Sequence, residues 1–144
     1  FKENHFLDDG AYLVAKILIK MANIKARNNR KLSDLITDLD EVEISKEYRM
    51  KIQLDDFKDY GQQVLEELKT HINENTEWQI APKNYEGVRV DCGANDWFLL
   101  RMSLHDPVLV LNIECDEQKK LNLIKNSLQQ FLGNYSKINK KQLL

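Results

Sequence analysis

The densest run of chemically able side chains is Arg101-Met102-Ser103-Leu104-His105-Asp106-Pro107. Arg101 offers a planar fork of donors that matches the oxygens of a phosphate. Ser103 adds a hydroxyl donor, and His105 an imidazole that donates and can be charged near neutral pH. The backbone amides of such a loop can converge on an anion, and Pro107 stiffens the exit. These residue types suit a phosphate or another small oxyanion. An ordinary polar turn has the same composition, so the residues by themselves leave both readings open.

Other candidates have plainer roles. Asp8 and Asp9 form a carboxylate pair, but at a helix start they are caps. His5 stands near the start of a strand-like stretch and reads as a solvent-facing or structural imidazole. His71 falls near a helix end, where a protonated ring suits the helix dipole. Arg49, in the middle of a strand pattern, either pairs with a carboxylate or faces a cleft. Trp78 and Trp97 read as core, and Lys119-Lys120 as a solvated helix face. Cys92 and Cys115 occur in no CxxC or metal-ligand spacing, which points to buried or free thiols in a reducing compartment.

The elements that must position these residues follow from periodicity. Asp8 to about Lys25 reads as a helix, capped by Asp8 or Asp9 and apolar on most sides except a stripe through Lys16 and Lys20. Such a helix needs cover on most sides. Residues 28–31 are a polar connector, and Leu32 to Leu39 a short helix. Glu41 to Leu54 partly alternates through Val42, Ile44, Tyr48, Met50, Ile52 and Leu54, as a strand does. The stretch from Asp40 to Ile44 is a candidate hinge.

Asp55 or Asp56 then caps a helix to about Asn73 that aligns Phe57, Val64, Leu68 and Ile72. Three strands follow, over 86–92, 97–102 and 108–115. Gly93-Ala94-Asn95-Asp96 supplies turn chemistry between the first two. Asp116 caps a last helix with the stripe Leu121, Ile124, Leu128 and Phe131, and Gly133 is placed to end it. The tail from Asn134 reads as loose. The order predicts an α+β unit in which one antiparallel sheet is covered on one face by two helices.

Composition excludes some classes. The chain has 144 residues, 42% hydrophobic and 31% charged, with a net charge of −2. This balance argues for a globular protein and against a nucleic-acid or membrane-surface partner. The apolar stretch from Ala11 to Ile19 is interrupted by Lys16 and is too short to cross a bilayer. Phe1-Lys2-Glu3-Asn4-His5 has neither an initiator Met nor an apolar signal core, so the expectation is a fragment or a processed product, and the expected location is cytoplasmic.

The segment from Trp97 through Arg101-Met102-Ser103-Leu104-His105-Asp106-Pro107 to Leu111 resembles the last-domain signature of the α-D-phosphohexomutase superfamily. There a Gly-Trp strand leads into Arg-x-Ser-Asn-Thr-x-Pro and an apolar strand. Glu86-Gly87-Val88-Arg89-Val90 resembles the Asp-Gly-Val-Arg-Val strand of the phosphomannomutase/phosphoglucomutase branch. Phe1-Lys2-Glu3 and Asp8-Asp9-Gly10-Ala11-Tyr12 resemble the Phe-Lys-Glu…Asp-Asp-Gly-x-Tyr stretch that closes that family's third domain.

The resemblance runs from residue 1 to about 132. It implies that 1–40 end a truncated α/β domain and that 41–133 form a TATA-box-binding-protein-like α+β domain, leaving 134–144 as the flexible tail read above from its composition. It further implies an enzyme that interconverts hexose 1-phosphates and 6-phosphates by intramolecular phosphotransfer, through a phosphoserine and a bisphosphorylated intermediate. Mg²⁺ would be bound in another domain, and a glucose 1,6-bisphosphate-type compound would act as activator. The partners implied are a phosphosugar and the upstream domains of the same chain.

Carried over by position, Arg101 and Ser103 match the family's phosphate ligands, and Lys2 matches a substrate-contacting lysine. Leu104 stands where the pattern has Asn, leaving only its amide, and His105 where it has Thr. No serine loop and no metal loop is present, so this stretch alone is expected to catalyse nothing. The competing readings are a phosphoglucosamine-type mutase and a non-catalytic α+β protein-interaction module.

Overall fold

A computed structural model describes residues 2–5, 9–39, 41–75 and 77–143. The chain divides into two units, Phe1–Glu41 and Val42–Leu144. Asp40, in the middle of the expected hinge, lies outside the described residues.

In the first unit a 3-10 turn, Lys2–Asn4, precedes helix α1, Gly10–Asn28. Asp9 caps α1 from an extended backbone, its carboxylate accepting the Tyr12 N–H at 3.0 Å. This satisfies one of the orphan donors of the first turn. Asp8, the other candidate cap, lies outside the described residues. α1 runs past Lys25 because Asn29 takes the left-handed conformation and donates its N–H to the Lys25 carbonyl. Asn tolerates that backbone better than most residues.

The short helix expected over 32–39 is one 3-10 turn, Leu32–Leu35. His5 follows the first 3-10 turn at a φ of 52°, in a turn rather than a strand. Within α1 no described residue is buried, and Leu13, Val14, Ile17, Leu18, Ile19 and Met21 are exposed. Among the described residues no helix is long and apolar enough to cross a membrane.

The second unit is an α+β layer pair. Strands β1 (Ile44–Lys51), β2 (Gln79–Ile80), β3 (Val88–Asp91), β4 (Trp97–Met102) and β5 (Val108–Cys115) form one antiparallel sheet in the order β1-β5-β4-β3-β2. Helices α2 (Phe57–Asn75) and α3 (Gln118–Gly133) supply the apolar stripes that cover it. Registered pairing sorts the side chains. Val88, Leu100, Leu111 and Tyr48 lie in one row, and Val90, Phe98 and Ile113 are in the next. This face packs against Val64, Leu68 and Ile72 of α2 and Leu121, Ile124 and Leu128 of α3 in a single core. The opposite face carries Glu47, Arg49, Asn112, Leu99, Arg101, Arg89 and Trp97.

Several local expectations need correction. The α3 cap is Glu117, not Asp116, and it makes no side-chain capping bond. Asp116 instead gives its N–H to the buried Asp96 carboxylate, which also meets Lys120 at 3.7 Å. Lys120 is therefore a staple between α3 and the β3–β4 turn, not only a solvated residue. Gly133 ends α3 without a left-handed backbone; the N–H of Asn134 returns to Phe131 and Leu132.

The tail is not loose. Tyr135, Ile138 and Leu143 are buried in the core, and Ile138 bridges to Ile52 beyond β1. Gln129 donates to the Leu143 carbonyl at 2.7 Å. Apolar burial of this kind fixes a segment whatever its lack of secondary structure.

Both cysteines are free and buried. Burial first, then nearby Asp91 and Asp96, pushes the Cys92 thiol up to about 12, so it stays a protonated, inert thiol.

Candidate functional site

The loop of interest joins β4 to β5 at one end of the sheet. Its stem is closed by the Ser103 N–H to the Val108 carbonyl at 2.9 Å, and Val108 returns its own N–H to Asp106 at 2.7 Å. The Asp106 N–H is donated to the Ser103 hydroxyl oxygen at 3.3 Å. Ser103 thus accepts inside the loop and keeps its own proton for an outside acceptor. Pro107 holds the loop to β1, its carbonyl accepting the Ile52 N–H at 2.7 Å. Leu104 and His105 form the exposed tip, and Leu104 is 77% exposed. Their amides make no backbone hydrogen bond among the described residues. The loop is therefore rigid at its base and presents donors at its tip, as a loop on a scaffold can.

Arg101 sits in β4 just before this loop, half-buried and on the sheet face opposite α2 and α3. Its guanidinium makes no hydrogen bond or ion pair among the described residues. A closely approaching backbone flanks it. Gly87 has a φ of +71°, and a Cβ there would stand 2.2 Å from the Leu100 carbonyl and 2.6 Å from the Arg101 Cβ. Only glycine fits that approach.

Arg49 is resolved as a carboxylate partner on the same face as Arg101. It meets Glu47 at 3.4 Å and Asp106 of the loop at 4.0 Å. Asn112 donates to the other Glu47 oxygen at 3.2 Å. That bond, and then the charges of Arg49 and Arg101, hold the Glu47 carboxyl below the usual range.

The expected site residues thus fall in two places. Arg101, Ser103, Leu104 and His105 come together at one end of the sheet in the second unit. Lys2 is exposed in the 3-10 turn of the first unit. His71 lies on α2, its ring 5.1 Å from that of Phe131 of α3. Trp97, read as core, instead lies on the face opposite α2 and α3, where the Arg89 guanidinium stacks at 4.1 Å from its ring. Trp78 does pack on the core, edge-on to Phe98 at 6.0 Å. Among the described residues no group of three or more His, Cys, Asp and Glu could hold a metal ion.

No family model matches the chain, and no curated protein matches it. Among solved structures, the fold matches the crystal structure of a phosphoglucomutase/phosphomannomutase family protein from Burkholderia thailandensis, with a TM-score of 0.54 and 21% identity. The match covers 88% of this chain and 24% of that one. The likeness therefore concerns the fold of one part of a much larger protein.

Proposed function

We propose that this chain is the phosphate-clamping end of a phosphohexose mutase of the phosphomannomutase/phosphoglucomutase kind. The observation that carries the reading is the β4–β5 loop: an arginine with no ion-pair partner and amides with no backbone acceptor among the described residues, and a serine with its proton to give, all on one rigid stem. The fold likeness supports it, and so do the motifs Glu86-Gly87-Val88-Arg89-Val90 and Arg101 to Pro107.

In this reading the whole enzyme interconverts hexose 1-phosphate and 6-phosphate through a phosphoserine and a bisphosphate intermediate. The loop grips the phosphate that is not reacting. Arg101 binds its oxygens through the guanidinium fork, Ser103 donates through its hydroxyl, and the amides of Leu104 and His105 complete the seat. Lys2 contacts the substrate from the first unit. Binding energy gathered at a remote phosphate orients the reacting one, and orientation with charge stabilisation is most of phosphoryl-transfer catalysis. A generic phosphate seat also suits an intermediate that must present either end. The serine nucleophile and Mg²⁺ are assigned to other parts of the enzyme, and so this chain alone binds without catalysing.

The test is a two-dimensional amide NMR titration of the chain with glucose 1-phosphate, beside Arg101→Ala. A lone exposed clamp should bind at roughly millimolar affinity. Shifts confined to 101–107 and lost in the variant are expected. Shifts that persist in the variant, or that cluster on the helices, would overturn the reading.

A further inference from the structure

Pairing places Arg49 and Arg101 opposite the same residue, Val110, from its two sides: Arg49 across β1 and Arg101 across β4. Alternation then puts all three side chains on the face opposite α2 and α3. Val110 is nevertheless fully buried, at 0% exposure, on the face opposite α2 and α3. The apolar stems of the flanking arginines are suited to cover it, leaving their charged heads outward. The Arg49 and Arg101 backbones stand two strand spacings apart, roughly 10 Å, with the mouth of the β4–β5 loop at their end of the sheet.

Arg49 is also held loosely. Its side chain is 49% exposed, and its contacts with Glu47 and Asp106 are long, at 3.4 and 4.0 Å. Exposed pairs of this kind contribute little and exchange readily. Asp106 itself belongs to the loop and is more exposed still. Glu47 feels both Arg49 and Arg101, so the two cations share one patch of the face.

We propose that Arg49 is the second guanidinium of the phosphate seat, held by Asp106 when the seat is empty and turning onto the ligand when it fills. The inference rests on the phosphate reading of the loop given above. It also narrows the ligand to a dianionic phosphoryl group. One arginine fork satisfies a carboxylate with its two oxygens, whereas a phosphate monoester has three terminal oxygens and accepts from both guanidiniums and the loop amides at once. Binding then strengthens as pH rises through about 6, where the monoester gains its second charge.

The experiment is a set of titrations of the full 144-residue chain with inorganic phosphate and with glucose 1-phosphate. The variants are Arg49→Ala, Arg49→Lys, Asp106→Asn, the double Arg49→Ala/Asp106→Asn, and Arg101→Ala. Lys51→Ala, from the same strand and face, controls for net charge. Each variant's amide spectrum checks that the fold is kept.

Arg49→Ala is expected to weaken binding by about tenfold, and Lys51→Ala by less than about twofold, since only the former removes a direct ligand. Arg49→Lys should recover part of the loss, as an ammonium cannot form the fork. Asp106→Asn should tighten binding, and the gain should vanish when Arg49 is already Ala, a coupling that a general charge effect would not give. If Arg101→Ala abolishes binding while Arg49→Ala matches Lys51→Ala, the second-guanidinium role is wrong and the phosphate reading stands. If the unaltered chain shows no phosphate-dependent shift, both fall.

Discussion

Gly87 lies against Arg101 so closely that no side chain fits between them: a Cβ on Gly87 would stand 2.6 Å from the Arg101 Cβ and 2.2 Å from the Leu100 carbonyl oxygen. The contact fixes β4 where it enters the loop. Gly87→Ala combines a left-handed backbone, which costs a non-glycine residue about 1–2 kcal/mol, with a clash against main chain. The expected destabilisation is about 3 kcal/mol, read as a lower denaturation midpoint in urea. The variant should also lose phosphate-dependent shifts in 101–107 at temperatures where it is still folded. Unchanged stability would mean that the β3 approach can move aside, and that Arg101 is not positioned by it.

Leu104 tests the departure of this loop from the mutase pattern. It is 77% exposed. Leu104→Asn introduces the residue found here in the pattern that the loop resembles and adds a side-chain amide donor at the loop tip. Glucose 1-phosphate should bind about 2–5-fold tighter, the worth of one exposed hydrogen bond, while stability shifts by less than about 0.5 kcal/mol. Calorimetric titration reads the first and thermal melting the second. Equal affinity would place position 104 outside the seat.

Much of the second unit is legible in the sequence because its elements are long and periodic. The stripes Val64, Leu68, Ile72 and Leu121, Ile124, Leu128 identify α2 and α3, and the loop chemistry stands out between two apolar strands. What escapes is non-local or short. β2 is two residues, Gln79–Ile80, and exists only through pairing with β3. Trp97 has the parity of Arg101 and not of Phe98 and Leu100, so its outward placement was readable in principle. In a strand as apolar as Trp97-Phe98-Leu99-Leu100, however, periodicity does not distinguish the faces. The partnership of Arg49 with Asp106 needs the β1–β5 register, which no local pattern encodes.

Tyr135 gives a pH-dependent test of the helix layer. Its hydroxyl donates to the Glu67 carboxylate, linking the segment after α3 to α2. Burial, then this bond, pushes the Tyr135 hydroxyl well above its ordinary value, and the same bond lowers the Glu67 carboxyl. The raised tyrosine contributes stability that is complete below pH about 10 and is lost as pH rises through its folded value. The lowered glutamate contributes above pH about 4.3, and its share is lost as pH falls through its folded value. Tyr135→Phe should therefore lower the urea midpoint most between these limits, and its difference from the unaltered chain should shrink at both extremes. A difference that is flat with pH would show that the ring's packing, not the hydroxyl, makes the link.

The tail bears on the proposed phosphate seat. Ile138 bridges to Ile52, the Asn139 N–H is donated to the Lys51 carbonyl at 2.8 Å, and Gln142 accepts the Arg49 N–H at 2.9 Å. The segment thus pairs along the free edge of β1, the strand that carries Arg49, and blunts an edge that would otherwise offer unpaired groups. Leu143, fully buried, anchors its end. Leu143→Ala should cost about 2–4 kcal/mol, the usual penalty for a cavity in a packed core. Removing 134–144 should cost more, since Tyr135 and Ile138 leave with it. Gln142→Ala should instead keep the fold, speed hydrogen exchange at the Arg49 amide, and weaken phosphate binding by about twofold through a less fixed β1. Exchange at Arg49 as slow as in the unaltered chain would mean that the edge is held by Lys51 and Ile52 alone, and that the tail stabilises the unit without bracing the proposed seat.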